Sequence, residues 1–137
     1  MEIKTATLAD LDTIIELGKS VNEFQVSDDV VTFWPKDVLI DCIKSNNPIL
    51  VAKESNQIIG YIIANYNSYF KKGIIENIFV DPDFRGKKVG KLLLSNLLDK
   101  LKELGCEYVC SLTEMENNVA ARFFVSNEFK RGINCVV

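Results

Sequence analysis

Ile74-Ile75-Glu76-Asn77-Ile78-Phe79-Val80-Asp81-Pro82-Asp83-Phe84-Arg85-Gly86-Lys87-Lys88-Val89-Gly90-Lys91 contains a strand, a turn and a helix start in sequence. The β-branched, apolar run from Ile74 to Val80 predicts a strand. Asp81-Pro82 ends it. A basic loop carrying Gly86 and Gly90 follows, and it opens into the amphipathic segment Leu92 to Leu101. The first turn of a helix has free N–H groups, and the helix dipole favours negative charge there. This corner therefore predicts an anion site, and a phosphorylated small molecule as its ligand.

Working outward, the remaining segments supply a mixed α/β layout in the order β-α-α-β-β-β-α-β-α-β. Glu2 to Ala6 predicts a strand. Thr7 is a good N-cap, and Leu8, Leu11, Ile14, Ile15 and Leu17 follow helical spacing. Val21 to Trp34 lacks clean periodicity and is expected to mix helix and loop. Pro35 suits the first turn of a helix over Lys36 to Ser45. Ile49 to Lys53 and Ile58 to Tyr66 predict a hairpin around Glu54-Ser55-Asn56-Gln57. Asn67 to Lys72 predicts a loop. The helix from Lys88 to Leu104 is expected to close on Gly105. Cys106 to Leu112 predicts a strand, Asn117 to Asn127 a helix, and Phe129 onward a short last strand.

The chain has 137 residues, 47% hydrophobic and 26% charged, which fits one domain over residues 1–137. No apolar run has the length of a membrane span, and the N-terminus has no export signal. The net charge of −3 argues against nucleic acid as a partner. Cys42, Cys106, Cys110 and Cys135 form no C-x-x-C pair, which fits free thiols in a reducing cytoplasm. With no histidine, Ser-His-Asp and Cys-His catalysis are excluded, as are most catalytic zinc sites. No metal is expected. Acid–base chemistry falls to carboxylates, Tyr, Cys, Lys or water.

Val80-Asp81-Pro82-Asp83-Phe84-Arg85-Gly86-Lys87-Lys88-Val89-Gly90 resembles the acetyl-CoA signature of the GNAT acyltransferase superfamily, roughly V-x-P-x-[YF]-[RQ]-x-x-G-x-[GA]. Asn117-Asn118-Val119-Ala120-Ala121-Arg122-Phe123-Phe124-Val125-Ser126-Asn127-Glu128-Phe129 resembles that family's second motif, N-x-x-A-x-x-x-Y-x-x-x-G-F. Thr5 to Leu11 also has the family's look. The two motifs stand in order and at the expected separation, and the resemblance covers essentially the whole chain.

The resemblance implies a GNAT fold, a mostly antiparallel sheet whose fourth and fifth strands splay apart between helices. It implies acetyl-CoA as cosubstrate. Arg85, Gly86, Lys87, Lys88, Val89, Gly90 and Lys91 would wrap the diphosphate, partly through main-chain N–H groups. Ile78, Phe79 and Val80 would lie along the pantetheine arm, with Asn117 bonding it from the other side and Phe124 packing beside it. The implied reaction is direct acetyl transfer to a primary amine, on a small molecule or a peptide. An alkylamine has a pKa near 10, so only about one molecule in a thousand is neutral at pH 7. Glu76 is the candidate base. Alternation places it on the face of Ile78 and Val80. The equally weighted alternative makes Glu76 a strand carboxylate that pairs a cation without taking a proton.

Three positions depart from the family pattern. Lys88 replaces the first glycine of the G-x-[GA] pair, acceptable if that residue is already helical. Phe124 replaces a tyrosine that commonly protonates the departing thiolate. That role is then left to water or a nearby Tyr or Cys such as Cys110. Glu128 replaces the glycine before Phe129, which is expected to alter the turn there. A short closing hairpin would leave an edge strand for a second subunit to cover, giving a homodimer.

A Walker loop fails on spacing, because three residues separate Gly86 from Gly90 and Leu92 follows Lys91. No G-x-G-x-x-G is present for a dinucleotide site. The runner-up is a module that holds acetyl-CoA without transferring acetyl, as a sensor or subunit. For the acceptor, Glu23, Asp28 and Asp29 offer negative charge, and Phe24, Phe33, Trp34, Tyr66, Tyr69 and Phe70 offer an apolar wall. For most of these the plainer reading is an acidic solvated loop over core aromatics.

Overall fold

The computed structural model describes residues 1–20, 25–27, 30–31, 33–111 and 118–130. In chain order its elements are β1 (Glu2–Thr5), α1 (Leu11–Lys19), β2 (Gln25–Ser27), β3 (Val30–Val31), α2 (Lys36–Lys44), β4 (Ile49–Glu54) and β5 (Gln57–Asn67). Then come β6 (Lys72–Val80), α3 (Val89–Glu103), β7 (Tyr108–Ser111) and α4 (Asn118–Ser126). Five strands form one sheet in the order β1-β4-β5-β6-β7. All pairs are antiparallel except β6 with β7, which is parallel.

Both faces of the sheet are covered, so the central strands are apolar on both sides. On one face Leu50, Ala52, Ile59, Ile62, Ala64 and Ile75 pack against Leu93, Leu94, Leu97 and Leu101 of α3 and Phe124 of α4. On the other, Ile49, Val51, Tyr61, Ile63 and Phe79 pack against Leu11 and Ile14 of α1 and Leu39 and Cys42 of α2. The α3 stripe recurs at the helical period, which is why that helix lies along the sheet. Among the described residues no helix is long and apolar enough to cross a membrane.

Several sequence expectations change at the element ends. Leu8–Asp10 forms a 3-10 turn before α1, and Leu8 is exposed. The segment expected to mix helix and loop holds the short antiparallel pair β2 and β3. Its Glu23, Phe24, Asp28 and Asp29 lie outside the described residues. The β5–β6 hairpin reaches further than expected, with Asn67 paired to Lys72 and the loop shortened to Ser68 through Lys71. The β4–β5 hairpin turns on Ser55 and Asn56, both at positive φ (48° and 65°), as a tight hairpin turn requires. Cys106 and Glu107 precede β7, and Leu112 lies outside the described residues, as does the expected last strand beyond Lys130.

Three helices end in one hydrogen-bond pattern. The amide that closes each end reaches back five positions, with Asn47 to Cys42, Cys106 to Leu101 and Phe129 to Phe124 at 2.9, 3.0 and 3.0 Å. The residue before each of these amides takes a left-handed conformation, which is Asn46 (φ 60°), Gly105 (φ 96°) and Glu128 (φ 73°). The expectation that Glu128 alters this turn is thereby corrected. Glu128 adopts the glycine conformation.

Candidate active site

The site is built along the C-terminal half of β6, which lies between β5 and β7 in the sheet. On one side β6 pairs with β5 along its whole length, from Lys72 to Val80. On the other it pairs with β7 only from Lys72 through Ile75, opposite Tyr108 through Ser111. From Glu76 to Val80 that edge has no strand partner among the described residues.

A β-bulge re-aims the side chains at this point. Ile63 pairs with Asn77 and Ala64 with Ile75, so Glu76 is the extra residue on β6. The extra residue reverses the alternation. Ile75 packs on the α3 face, and so do Ile78 and Val80. Phe79 packs on the opposite face, stacked 5.6 Å from Tyr61. Glu76 accepts a hydrogen bond at 3.0 Å from Asn65 Nδ2, and Asn65 in turn meets Cys42 of α2. Glu76 therefore faces α2, away from Ile78 and Val80. This corrects the shared face expected from simple alternation. Two buried polar atoms near this point, Asn77 Oδ1 and Tyr61 Oη, have no hydrogen-bond partner among the described residues. Burial pushes the Tyr61 hydroxyl well above the ordinary tyrosine range.

At its upper end β6 turns through the 3-10 segment Pro82–Phe84, where Asp81 Oδ1 accepts from the Asp83 amide at 2.9 Å. The Asp81 amide is tied to the Ile59 carbonyl at 2.7 Å. The exposed loop Arg85 to Lys88 follows. Arg85 Nε donates to the Val80 carbonyl at 3.0 Å, and Lys87 Nζ lies 5.2 Å from the centre of the Phe84 ring. Gly86 takes φ 77°, the conformation that favours glycine. Lys88 takes φ 65° and is the N-cap of α3, so it is left-handed and not helical. This corrects the expectation that a Cβ is accommodated there by helical geometry. The amides of Gly86 through Lys91 have no main-chain acceptor among the described residues, and the Leu92 amide is the first to bond, to the Lys88 carbonyl. Val89 is buried, and Phe123 of α4 closes over Gly90, where an added Cβ would stand 3.2 Å from its ring.

The predicted residues thus divide by position. Glu76, Ile78, Phe79 and Val80 lie on the strand with the open edge, and Arg85 through Lys91 continue directly from it. Phe124 is 6% exposed within the α3-side core, in contact with Phe123 and Phe129, and α4 meets Gly90 through Phe123. Asn117 lies outside the described residues. Cys110 is buried and paired with Ile74. Sequence reasoning missed Asn65. The available signal was a lone amide at the end of the apolar run Ile58 to Ala64. A separate open cleft of about 550 Å³ lies between α3, β7 and the end of α4, lined by Leu101, Val109 and Phe129 among others, and does not include the loop.

A diphosphate carrier fits this geometry. A row of amides with no main-chain acceptor among the described residues, at a helix start, suits its charge, and the β6 edge leading away from that row suits an arm carrying amides. Comparison with known proteins agrees with this fit. The profile of the acetyltransferase (GNAT) family matches residues 12–129. The chain is 28% identical over 85 residues to the L-amino acid N-acyltransferase MnaT of Escherichia coli (strain K12), covering 60% of this chain and 49% of that protein. It therefore spans about half the length of that curated relative. The PaiA N-acetyltransferase of Thermoplasma acidophilum, solved in complex with coenzyme A, superposes with a TM-score of 0.81 at 25% identity over 96% of this chain and 90% of that one. The ribosomal-protein-alanine N-acetyltransferase of Brucella melitensis superposes with a TM-score of 0.81 at 20% identity over 97% of this chain and 86% of that one. By its sequence profile over residues 12–129, the chain belongs to the acetyltransferase (GNAT) family.

Proposed function

We propose that the chain is an acetyl-CoA-dependent N-acetyltransferase that moves an acetyl group from the CoA thioester to a primary amine by direct attack. The observation that carries this reading is the continuity of two features, the β6 edge from Glu76 to Val80 and the amides of Gly86 through Lys91, neither with a main-chain partner on those sides among the described residues. The family and its coenzyme A-bound member support it.

The bound thioester supplies an activated acetyl carbonyl. Gly86 through Lys91 hold the diphosphate by main-chain N–H groups, with Lys87, Lys88 and Lys91 adding charge at longer range. The edge at Ile78 to Val80 bonds the amides of the pantetheine arm, and Asn117 and Phe124 flank it. The amine nitrogen bonds to the carbonyl carbon, the C–S bond breaks, and Glu76 takes the amine proton, directly or through a water. A thiol with a pKa near 8.5 is a fair leaving group without an acid, so Phe124 in the usual tyrosine position does not stop the reaction. The acceptor is a small-molecule or peptide amine, in keeping with the amino-acid and protein acceptors in the names of its relatives.

The test follows free thiol while the protein turns over acetyl-CoA with a panel of amines, with mass detection of the acetylated product. Amine-dependent thiol release above hydrolysis is expected. Calorimetric binding of acetyl-CoA without turnover on any amine would leave a sensor or subunit instead. No binding at all would remove both readings.

A further inference from the structure

We propose that Asn65 is a positioning residue that holds the Glu76 carboxylate by one oxygen and leaves the other free for the acceptor amine. The inference rests on the transferase reading. Glu76 is the extra residue of the β6 bulge, so the sheet alone does not hold its side chain in line with its neighbours. Asn65 lies on the adjacent strand β5, paired with Ile74, and donates Nδ2 to Glu76 Oε1 at 3.0 Å. Glu76 Oε2 has no hydrogen-bond or ion-pair partner among the described residues.

The Asn65 amide is itself oriented from the other side. Cys42 Sγ of α2 lies 3.9 Å from Asn65 Oδ1 as its donor. A thiol in this place is a donor only while it keeps its proton. Burial, then Asp41, then Glu76 push the Cys42 thiol above its ordinary value, so it remains S–H near neutral pH. A protonated thiol takes the amide oxygen, which turns the amide N–H toward the carboxylate. The ionisable groups facing this network are Cys42 and Asp41 on α2 and Glu76 on β6. A carboxylate held by one oxygen loses rotational freedom while its second oxygen keeps a lone pair for a proton, which is what a positioned base requires.

The test is a double-mutant cycle on the whole chain, with kcat and the KM for acetyl-CoA measured separately. Asn65→Ala should lower kcat about ten-fold with the KM for acetyl-CoA within about two-fold, since it misplaces the base without touching the carrier site. Made on Glu76→Gln, the same change should have no further effect, because there is no base left to position. Asn65→Asp sets a second carboxylate against Glu76, and the acidic limb of its kcat–pH profile should move up by about one unit. Equal losses from Asn65→Ala in both backgrounds would show a structural role and overturn the proposal. So would an unmoved pH limb in a folded Asn65→Asp. A Glu76→Gln loss without any Asn65 effect would overturn the proposal and leave the transferase reading standing. Absence of turnover in the unmodified protein would overturn both.

Discussion

Glu76 shows how one inserted residue changes a chemical assignment. The bulge turns its side chain toward α2 and away from Ile78 and Val80. As the proposed base, Glu76 lies on the α2 side, apart from the core under α3, so its loss should affect the amine and not the carrier. Glu76→Gln is expected to lower kcat by about a hundred-fold or more, within the range for a positioned general base. The affinity for acetyl-CoA, read by calorimetry, should change by less than about three-fold. An unchanged kcat would leave Glu76 with only its strand role. Lys88 carries a different lesson. Its identity was plain in the sequence, but its left-handed φ of 65° was not, because that angle is set by how the loop joins α3.

At the scale of the element, the helix ends allow a comparison of opposite sign. Gly105 and Glu128 occupy the same place in the same terminal motif at φ 96° and 73°. A left-handed conformation costs a residue with a Cβ about 1 kcal/mol relative to glycine. Gly105→Ala should therefore destabilise by about 1 kcal/mol, even though the nearest atom to the new Cβ, Tyr66 Oη, stands at an ordinary 3.6 Å. Glu128→Gly should stabilise by up to about 1 kcal/mol, a rise of a few degrees in thermal melting. Gly60 is set by contact instead. Its added Cβ would stand 2.8 Å from the Phe79 carbonyl, so Gly60→Ala should force β5 from β6 and cost about 1–3 kcal/mol. Denaturant melts of the three variants separate these causes.

α1 is tied to the sheet by a titratable link. Asp10 accepts from the Thr7 amide at 2.8 Å and pairs with Lys53 of β4 at 3.0 Å. Burial acts to raise its pKa, but the Thr7 and Lys53 contacts outweigh burial and lower it below the ordinary 3.8. A carboxyl whose folded pKa is depressed contributes stability above the unfolded value. That contribution should be complete near neutral pH and fade as pH falls from about 4 through the folded pKa. Asp10→Asn should flatten this part of the stability–pH curve and lower stability at pH 7 by about 1 kcal/mol.

For the whole molecule, the carrier should bind only the folded chain. Acetyl-CoA at a hundred times its Kd should then add about 2.7 kcal/mol to stability, visible as a rise in melting temperature. Much of this architecture was legible in the sequence, for local reasons. Strand and helix periods, the Asp81-Pro82 stop, the Gly105 terminus and the β4–β5 turn are encoded within a few residues of one another. The Gly86–Lys91 corner was legible for the same reason, since helix-start amides are a local property of backbone and spacing. Asn65 beside Glu76 and the reversed face of β6 were decided by tertiary structure. Each depends on the register between paired strands, and a bulge leaves no periodic mark in the segment that carries it.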